Sequence, residues 1–209
     1  MSIAASFALA GFINADSGLS LFYDSAPDFR GHEAEAEINA AVGIEKEVFG
    51  LDFGIEGSVG IRDDQDDEKR LSIYTSFDLS FLEVEAGVVG YDNNIVLGDA
   101  VEVYFKAGAE SILNPMVAVY YNPDNQVTTV EGGISQGFEI KNVGLEASAV
   151  VGNTEIFEDR ANYYKFALMA NYEINKETYA FVGVDVVQFD NIDFEDFDTG
   201  VFVGISHKF

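Results

Sequence analysis

Apolar residues alternate with polar or small residues along almost the whole chain, which is the repeat of a β-strand. The alternation is clearest in 33–45 and recurs in segments such as 51–62, 101–110 and 143–151. Twelve such segments follow one another, and the first covers 18–23. Their apolar faces carry no Asp, Glu, Lys or Arg, whereas the opposite faces are rich in acids. This pattern predicts antiparallel β-sheet with one apolar and one polar face.

The connections between these segments alternate in length. Short links occupy 45–50, 111–114, 140–142 and 175–177, and almost nothing separates the strands at Phe81. The longer, polar links are 24–33, 62–70, 91–100, 122–126, 152–161 and 189–199. Short turns at one end and longer loops at the other are typical of outer-membrane barrels, whose bacterial single-chain members have even strand numbers. The pattern therefore predicts an all-β, antiparallel up-and-down transmembrane β-barrel of about 12 strands, with both termini periplasmic.

Composition excludes several other classes of protein. Acids outnumber bases 37 to 11, which gives a formal net charge of −26 and makes nucleic acid a poor partner. The chain has no cysteine, so disulfides, cysteine zinc sites and thiol nucleophiles are excluded. Beyond the N-terminus, no charge-free stretch approaches the about 20 apolar residues of a membrane-spanning helix.

The N-terminal residues 3–13 are apolar and small, but they are too few to span a membrane as a helix. Their length is that of a signal-peptide core, although no Lys or Arg precedes Arg30. Two interpretations remain open for residues 1–15: a signal-peptide remnant, or the start of the first strand. Residues 16–209 are predicted to form a single β-barrel domain.

The C-terminal strand resembles the assembly signal of bacterial outer-membrane barrels, in which a glycine lies five residues before a terminal aromatic. Gly204 and Phe209 match that pattern, whereas His207 and Phe202 depart from it. The resemblance implies the barrel-assembly machinery as a partner. Aromatic residues also fall near predicted strand ends, where they are expected to form interfacial girdles. They are Tyr23, Phe49, Phe81, Tyr121, Tyr164, Tyr172 and Phe209.

Shorter pieces of the sequence resemble small porin-like β-barrel proteins of the proteobacterial outer membrane. They are Asp28-Phe29-Arg30-Gly31, Glu102-Val103-Tyr104, and Asn114-Pro115 leading to Tyr120-Tyr121. The resemblance implies a barrel in the bacterial outer membrane, with membrane lipid as a partner, and it names no substrate.

Little in the sequence supports enzyme chemistry. His32 beside Glu33 in the first long loop is the candidate acid–histidine pair, and a solvated loop histidine is the favoured interpretation. His207 falls on the predicted lipid-facing side of the last strand. Gly132-Gly133 lies within a strand, so it does not form a phosphate loop. We therefore predict no catalytic residue, no cofactor and no enzymatic activity.

Two acidic loops are weak candidates for divalent cations, since calcium favours clustered carboxylates. Neither loop fits the twelve-residue calcium-loop pattern, and a run of charge is usually a solvated loop. The candidate residues are Asp63, Asp64, Asp66, Asp67, Asp190, Asp193, Asp196 and Asp198.

The polar faces of the strands predict a strongly acidic lumen. The predicted pore-lining residues are Glu35, Glu37, Asp52, Glu56, Asp78, Glu83, Glu85, Glu102, Lys106, Glu110, Glu131, Glu146, Lys165, Glu173 and Asp185, with Arg62 near the outer mouth. Rings of carboxylates concentrate cations, so the predicted function is a small passive, cation-preferring channel for small cationic or neutral solutes.

Two alternatives to this channel remain open. One is a non-conducting structural or adhesive barrel with acidic recognition loops, its lumen filled by tyrosines and Lys–Glu pairs. The tyrosines expected in that case are Tyr74, Tyr104, Tyr120, Tyr163 and Tyr179. The other is a secreted soluble β-protein that binds a ligand.

Overall fold

The computed structural model describes residues 18–24, 37–62, 68–94, 98–124, 126–156, 159–190 and 197–208. These residues form twelve antiparallel strands. The strands are β1 (Gly18–Asp24), β2 (Glu37–Val48), β3 (Leu51–Arg62), β4 (Glu68–Leu79), β5 (Leu82–Asn94), β6 (Gly98–Ala109), β7 (Met116–Asn122), β8 (Val127–Ile140), β9 (Val143–Ile156), β10 (Asp159–Asn175), β11 (Thr178–Asp190) and β12 (Phe197–Lys208).

Each strand pairs with its neighbours in the sequence, and β1 closes the sheet by pairing with both β2 and β12. The predicted up-and-down β-barrel is therefore confirmed. Within the described ranges, no helix has the length and apolar character needed to cross a membrane. The predicted signal segment 1–15 lies outside the described residues.

Side-chain exposure alternates along the strands, and it does so in the predicted phase. In β7, Met116, Ala118 and Tyr120 are buried inside the barrel, whereas Val117 and Val119 are exposed on its outer surface. The same holds around the barrel, where outward residues such as Ile44, Leu168 and Val182 are large, apolar and about half exposed. A soluble protein does not present a continuous apolar exterior of this kind, so the soluble alternative is wrong.

The strands extend further than the apolar alternation predicted. β9 has 14 residues and ends at Ile156, and β10 has 17 and begins at Asp159, so most of the predicted loop 152–161 lies on strands. Likewise, β5 extends to Asn94 and β6 begins at Gly98, both within the predicted loop 91–100, and β4 begins at Glu68 inside the predicted loop 62–70. About 9–11 residues suffice to cross the hydrocarbon layer, so the extra length belongs to hairpins that continue beyond it. The contrast between lipid and lumen disappears there, and with it the alternation that marks a strand.

The other end of the barrel carries the short turns. Phe49 and Gly50 connect β2 to β3 with positive φ angles of 58° and 77°, as a tight two-residue hairpin requires. Ser80-Phe81, Lys141-Asn142 and Lys176-Glu177 connect three further hairpins at the same end.

The connection between β6 and β7 corrects one predicted pore-lining residue. β6 ends at Ala109, so Glu110 lies in an exposed turn and not on the strand. Within that turn, the side chain of Asn114 accepts a hydrogen bond from the amide of Ser111 at 3.1 Å. Glu110 therefore lies beyond the end of the inward face of β6.

Aromatic side chains lie at both ends of the outer surface. Tyr121 and Tyr164 are exposed towards the loop end, whereas Phe49, Phe81 and Tyr172 are exposed at or near the turns. The side chains of Tyr23 and Phe209 are outside the described set. Positions of this kind fit the interfacial girdles of a membrane barrel.

Deletion of Phe209, which follows directly after β12, is expected to reduce the amount of inserted protein in cells while leaving the loops unchanged. The physical reason is the proposed recognition of the terminal aromatic by the barrel-assembly machinery. Heat-modifiable migration of outer-membrane fractions on a denaturing gel measures the folded amount. Unchanged levels of inserted protein would show that the C-terminal resemblance has no role in assembly.

Candidate functional site: the barrel lumen

The inward faces of the strands form a lumen that carries most of the predicted pore-lining residues. Those on inward-facing positions are Asp52, Glu56, Asp78, Glu83, Glu85, Glu102, Lys106, Glu131, Glu146, Lys165, Glu173 and Asp185. Glu35 and the side chains of Glu37 and Arg62 are not among the described groups. Whether these residues line an open pore stays a prediction.

The other candidate residues are placed away from the lumen or lie outside the described parts of the chain. Asp190 is exposed at the loop end of β11, and the side chain of Asp198 is not described. His32, Asp63, Asp64, Asp66, Asp67, Asp193 and Asp196 are in the segments that the structure leaves out. His207 faces outward, as predicted, and its Nδ1 lies 3.0 Å from the hydroxyl of Thr178.

Several inward residues fall within predicted connections and were therefore missed, among them Glu45, Glu47 and Arg70. Glu45 lies on β2, and its carboxylate accepts a hydrogen bond from the hydroxyl of Tyr74 at 2.9 Å. Arg70 lies on β4, with its guanidinium 5.9 Å from the centre of the Tyr91 ring. Both positions continue the inward phase of their strands, Glu45 after Gly43 and Arg70 before Ser72. Extending that phase through the polar ends of the strands would have found them.

Two ion pairs connect inward residues of neighbouring strands. The Lys106 ammonium on β6 lies 3.0 Å from Glu85 on β5. The Lys165 ammonium on β10 lies 2.8 Å from Asp185 on β11, and the Asp185 side chain is completely buried. Both lysines were predicted to be inward. Within the lumen they provide counter-charges for specific carboxylates.

Tyrosine and threonine hydroxyls bind further inward groups across strands. Tyr163 donates a hydrogen bond to Glu131, and Tyr91 donates one to Glu102 at 3.3 Å. The hydroxyls of Thr129 and Thr154 lie 2.6 Å apart. Several acids of the central lumen therefore have specific hydrogen-bond partners, which fixes their positions against the barrel wall.

Apolar side chains cover part of two opposite walls. On β5, β6 and β7, one cluster consists of Val89, Tyr104, Met116, Ala118 and Tyr120, with Tyr74 and Tyr91 packed against it. On β11 and β12 a smaller cluster consists of Phe181 and Phe202, with Met169 packed against it. Five strands lie between β5 and β11 in either direction around the twelve-stranded barrel, so the two clusters face one another.

The turn end of the lumen is acidic. Glu47 and Asp52 are direct cross-strand neighbours on β2 and β3, and Asp78 and Glu83 are direct neighbours on β4 and β5. Carboxylates placed opposite one another repel, which costs stability. Four consecutive strands thus bring acidic groups to one side of the mouth.

A closed barrel with an apolar exterior, aromatic girdles and a charged interior is the architecture of a bacterial outer-membrane β-barrel. Solved structures share this fold at low sequence identity. The KdgM porin has a TM-score of 0.59 at 13% identity, over 92% of this chain and 99% of that chain. The NanC porin has a TM-score of 0.58 at 11% identity, over 92% of this chain and 100% of that chain.

Outer membrane phospholipase A from Escherichia coli has a TM-score of 0.52 at 13% identity, over 92% of this chain and 90% of that chain. The KdgM porin has also been solved in complex with disordered oligogalacturonate. No protein-family model matches the sequence, and no curated protein matches it. At these identities the likeness is one of fold, and that fold includes both porins and an enzyme.

Proposed function

We propose that this barrel is a small passive channel of the outer membrane that favours cationic over anionic solutes. The single observation that carries the proposal is the acidic mouth, where Glu47 faces Asp52 and Asp78 faces Glu83. Like charges in direct register repel one another, and mobile cations between them offset the repulsion. Carboxylates on a low-dielectric wall raise the local concentration of cations and exclude anions.

The balance of inward charge supports the same preference. The inward bases with described side chains are Arg70, Lys106, Lys165 and, at the turn end, Lys208, and the inward acids clearly outnumber them. Oligogalacturonate, named in the complex of the KdgM porin, is an acidic oligosaccharide. A polyanion crossing this lumen would have to pass the acidic mouth, and the repulsion there disfavours such a ligand for the present chain.

Reversal potentials in a planar bilayer under a potassium chloride gradient test the proposal. We expect cation preference that weakens with added salt, because the screening length is only about 8 Å at physiological ionic strength. Replacing Asp78 by Asn together with Glu83 by Gln is expected to reduce the preference. The matched control, Asp92→Asn, removes an exposed charge on the outer surface and should leave the reversal potential unchanged. Anion preference of the native protein would overturn the proposal.

A non-conducting structural barrel is the second candidate, and the packing of the lumen favours it specifically. Tyr163 is completely buried, and Tyr104 and Tyr120 are less than a tenth exposed. Side chains this deeply shielded from water, together with the Lys165–Asp185 pair, are expected of a densely packed lumen. Silence at every voltage from correctly folded protein would favour this candidate over the channel.

Enzymatic activity is not part of the proposal. Among the described residues, the histidine is His207, which faces outward beside Thr178 and away from the lumen. A nucleophile in the lumen would need a base within hydrogen-bond reach. The similarity to a phospholipase therefore supports the fold and supplies no catalytic residue here.

A further inference from the structure

A line of inward-facing tyrosines and glycines crosses the wall of the lumen in one register. Gly54 on β3, Tyr74 on β4, Gly87 on β5, Tyr104 on β6 and Tyr120 on β7 are successive direct cross-strand neighbours. We call these five residues the tyrosine rung. Direct neighbours in a sheet share a face, so the three rings lie side by side on the lumen wall.

Glycine allows the rings of the tyrosine rung to lie along the wall. A methyl group at Gly87 would be 2.6 Å from the hydroxyl oxygen of Tyr104, and one at Gly54 would overlap the ring of Tyr74. The rings occupy the space that side chains would fill at these two positions. The ring of Tyr104 therefore lies against the backbone at Gly87, and its centre is 6.1 Å from the centre of the Tyr120 ring.

An ammonium group already lies on this surface. The Lys106 nitrogen is 4.6 Å from the centre of the Tyr104 ring and 3.0 Å from the carboxylate of Glu85. Both side chains of the ion pair are less than a quarter exposed, so the contact is partly shielded from water. A ring face and a carboxylate that converge on one ammonium form a recognition site for such cations.

We propose that Glu85 and the face of Tyr104 form a subsite for solutes that carry a primary ammonium, and that Lys106 is its tethered occupant. This inference deepens the proposed channel function and rests on it. The lysine side chain beyond its Cα is an ammonium group on a flexible four-carbon stem, which is chemically equivalent to a butylammonium ion. A permeating ammonium solute therefore competes with Lys106 for the same two partners, and the lysine sets how strongly such solutes are retained.

Block of potassium current by n-butylammonium tests the subsite. In Lys106→Met, the ring of Tyr104 and the carboxylate of Glu85 are available to n-butylammonium without competition from the lysine. We therefore expect block at about tenfold lower concentration than in the native channel. Lys106→Gln serves as a second uncharged variant. Adding Tyr104→Leu to Lys106→Met or to Lys106→Gln should abolish this increase in sensitivity to block, because it removes the ring face. Lys69→Met removes the same charge from an exposed pair on the outer surface and should not alter block.

The outcomes separate this subsite from the channel proposal. Equal block of the native channel, Lys106→Met and the double variant would overturn the subsite, even if reversal potentials show cation preference. Anion preference of the native channel would overturn the proposed function instead. If no variant conducts, calorimetric titration of the refolded barrels with n-butylammonium gives the same comparison of affinities, and equal affinities would again overturn the subsite.

Discussion

Arginine in place of Ile55 or Val182 is expected to lower the free energy of unfolding by about 2–4 kcal/mol. Both residues face outward and are about half exposed, and both lie midway along their strands. Ile55 lies between Ile44 and Ile73 in direct register, so a charge there enters an apolar surface that meets lipid. Because the chain has no tryptophan, denaturant unfolding of the refolded barrel is best followed by far-ultraviolet circular dichroism.

Arginine at an inward serine provides the control for this prediction. Ser148 is the better site, since its direct neighbours are Ser135 and Ala167. Ser58 is less suitable because it lies directly opposite Arg70, and two like charges in register repel. We expect a much smaller loss of stability at Ser148 than at Ile55. Equal losses at both sites would contradict the assignment of the outer surface to lipid.

The faces of the strands could be predicted because every side chain of a membrane-spanning strand faces either lipid or the polar lumen. Lipid requires an apolar residue at each outward position, and this requirement keeps the phase of alternation unchanged along a strand. Val117 and Tyr120 on β7 are thus placed as expected, outward and inward respectively. The number of strands could be predicted as well, because each connection interrupts the alternation of apolar and polar residues.

The ends of the strands could not be predicted on the same basis. Beyond the hydrocarbon layer, both faces of a hairpin meet water, and polar residues at alternate positions no longer distinguish a strand from a loop. Arg70 was assigned to a loop for this reason, although it lies on β4 and faces the lumen. Glu110 shows the opposite case, since it continues the phase of β6 after the strand has ended.

The partners within the lumen depend on register, which the alternation alone does not determine. The contact of Tyr163 with Glu131 joins β10 to β8 across Gly152 on the intervening strand. The residue opposite each position depends on the length of every turn, and the predicted turn 45–50 is in fact only Phe49-Gly50. An error of this size changes which side chains meet while leaving their faces correct.

Replacing Lys165 by Met is expected to destabilise the barrel by about 3–5 kcal/mol, because it leaves the buried carboxylate of Asp185 without its counter-charge. The two groups are 2.8 Å apart, and the carboxylate is fully shielded from water. Asp185 lies between Ala167 and Gly200 in direct register, and neither neighbour carries a charge. Denaturant unfolding of the refolded variant, followed by circular dichroism, measures the loss.

Three comparisons distinguish a buried charge from a general packing defect. Lys165→Arg keeps the charge and should recover most of the stability. The double variant Lys165→Met with Asp185→Asn should also regain stability, because replacing both partners avoids an isolated buried charge. Lys69→Met breaks an exposed Lys–Asp pair of similar geometry, 2.7 Å long, and should change stability within the error of measurement. If the double variant is no more stable than Lys165→Met alone, the loss comes from packing of the lysine stem and not from the isolated charge on Asp185.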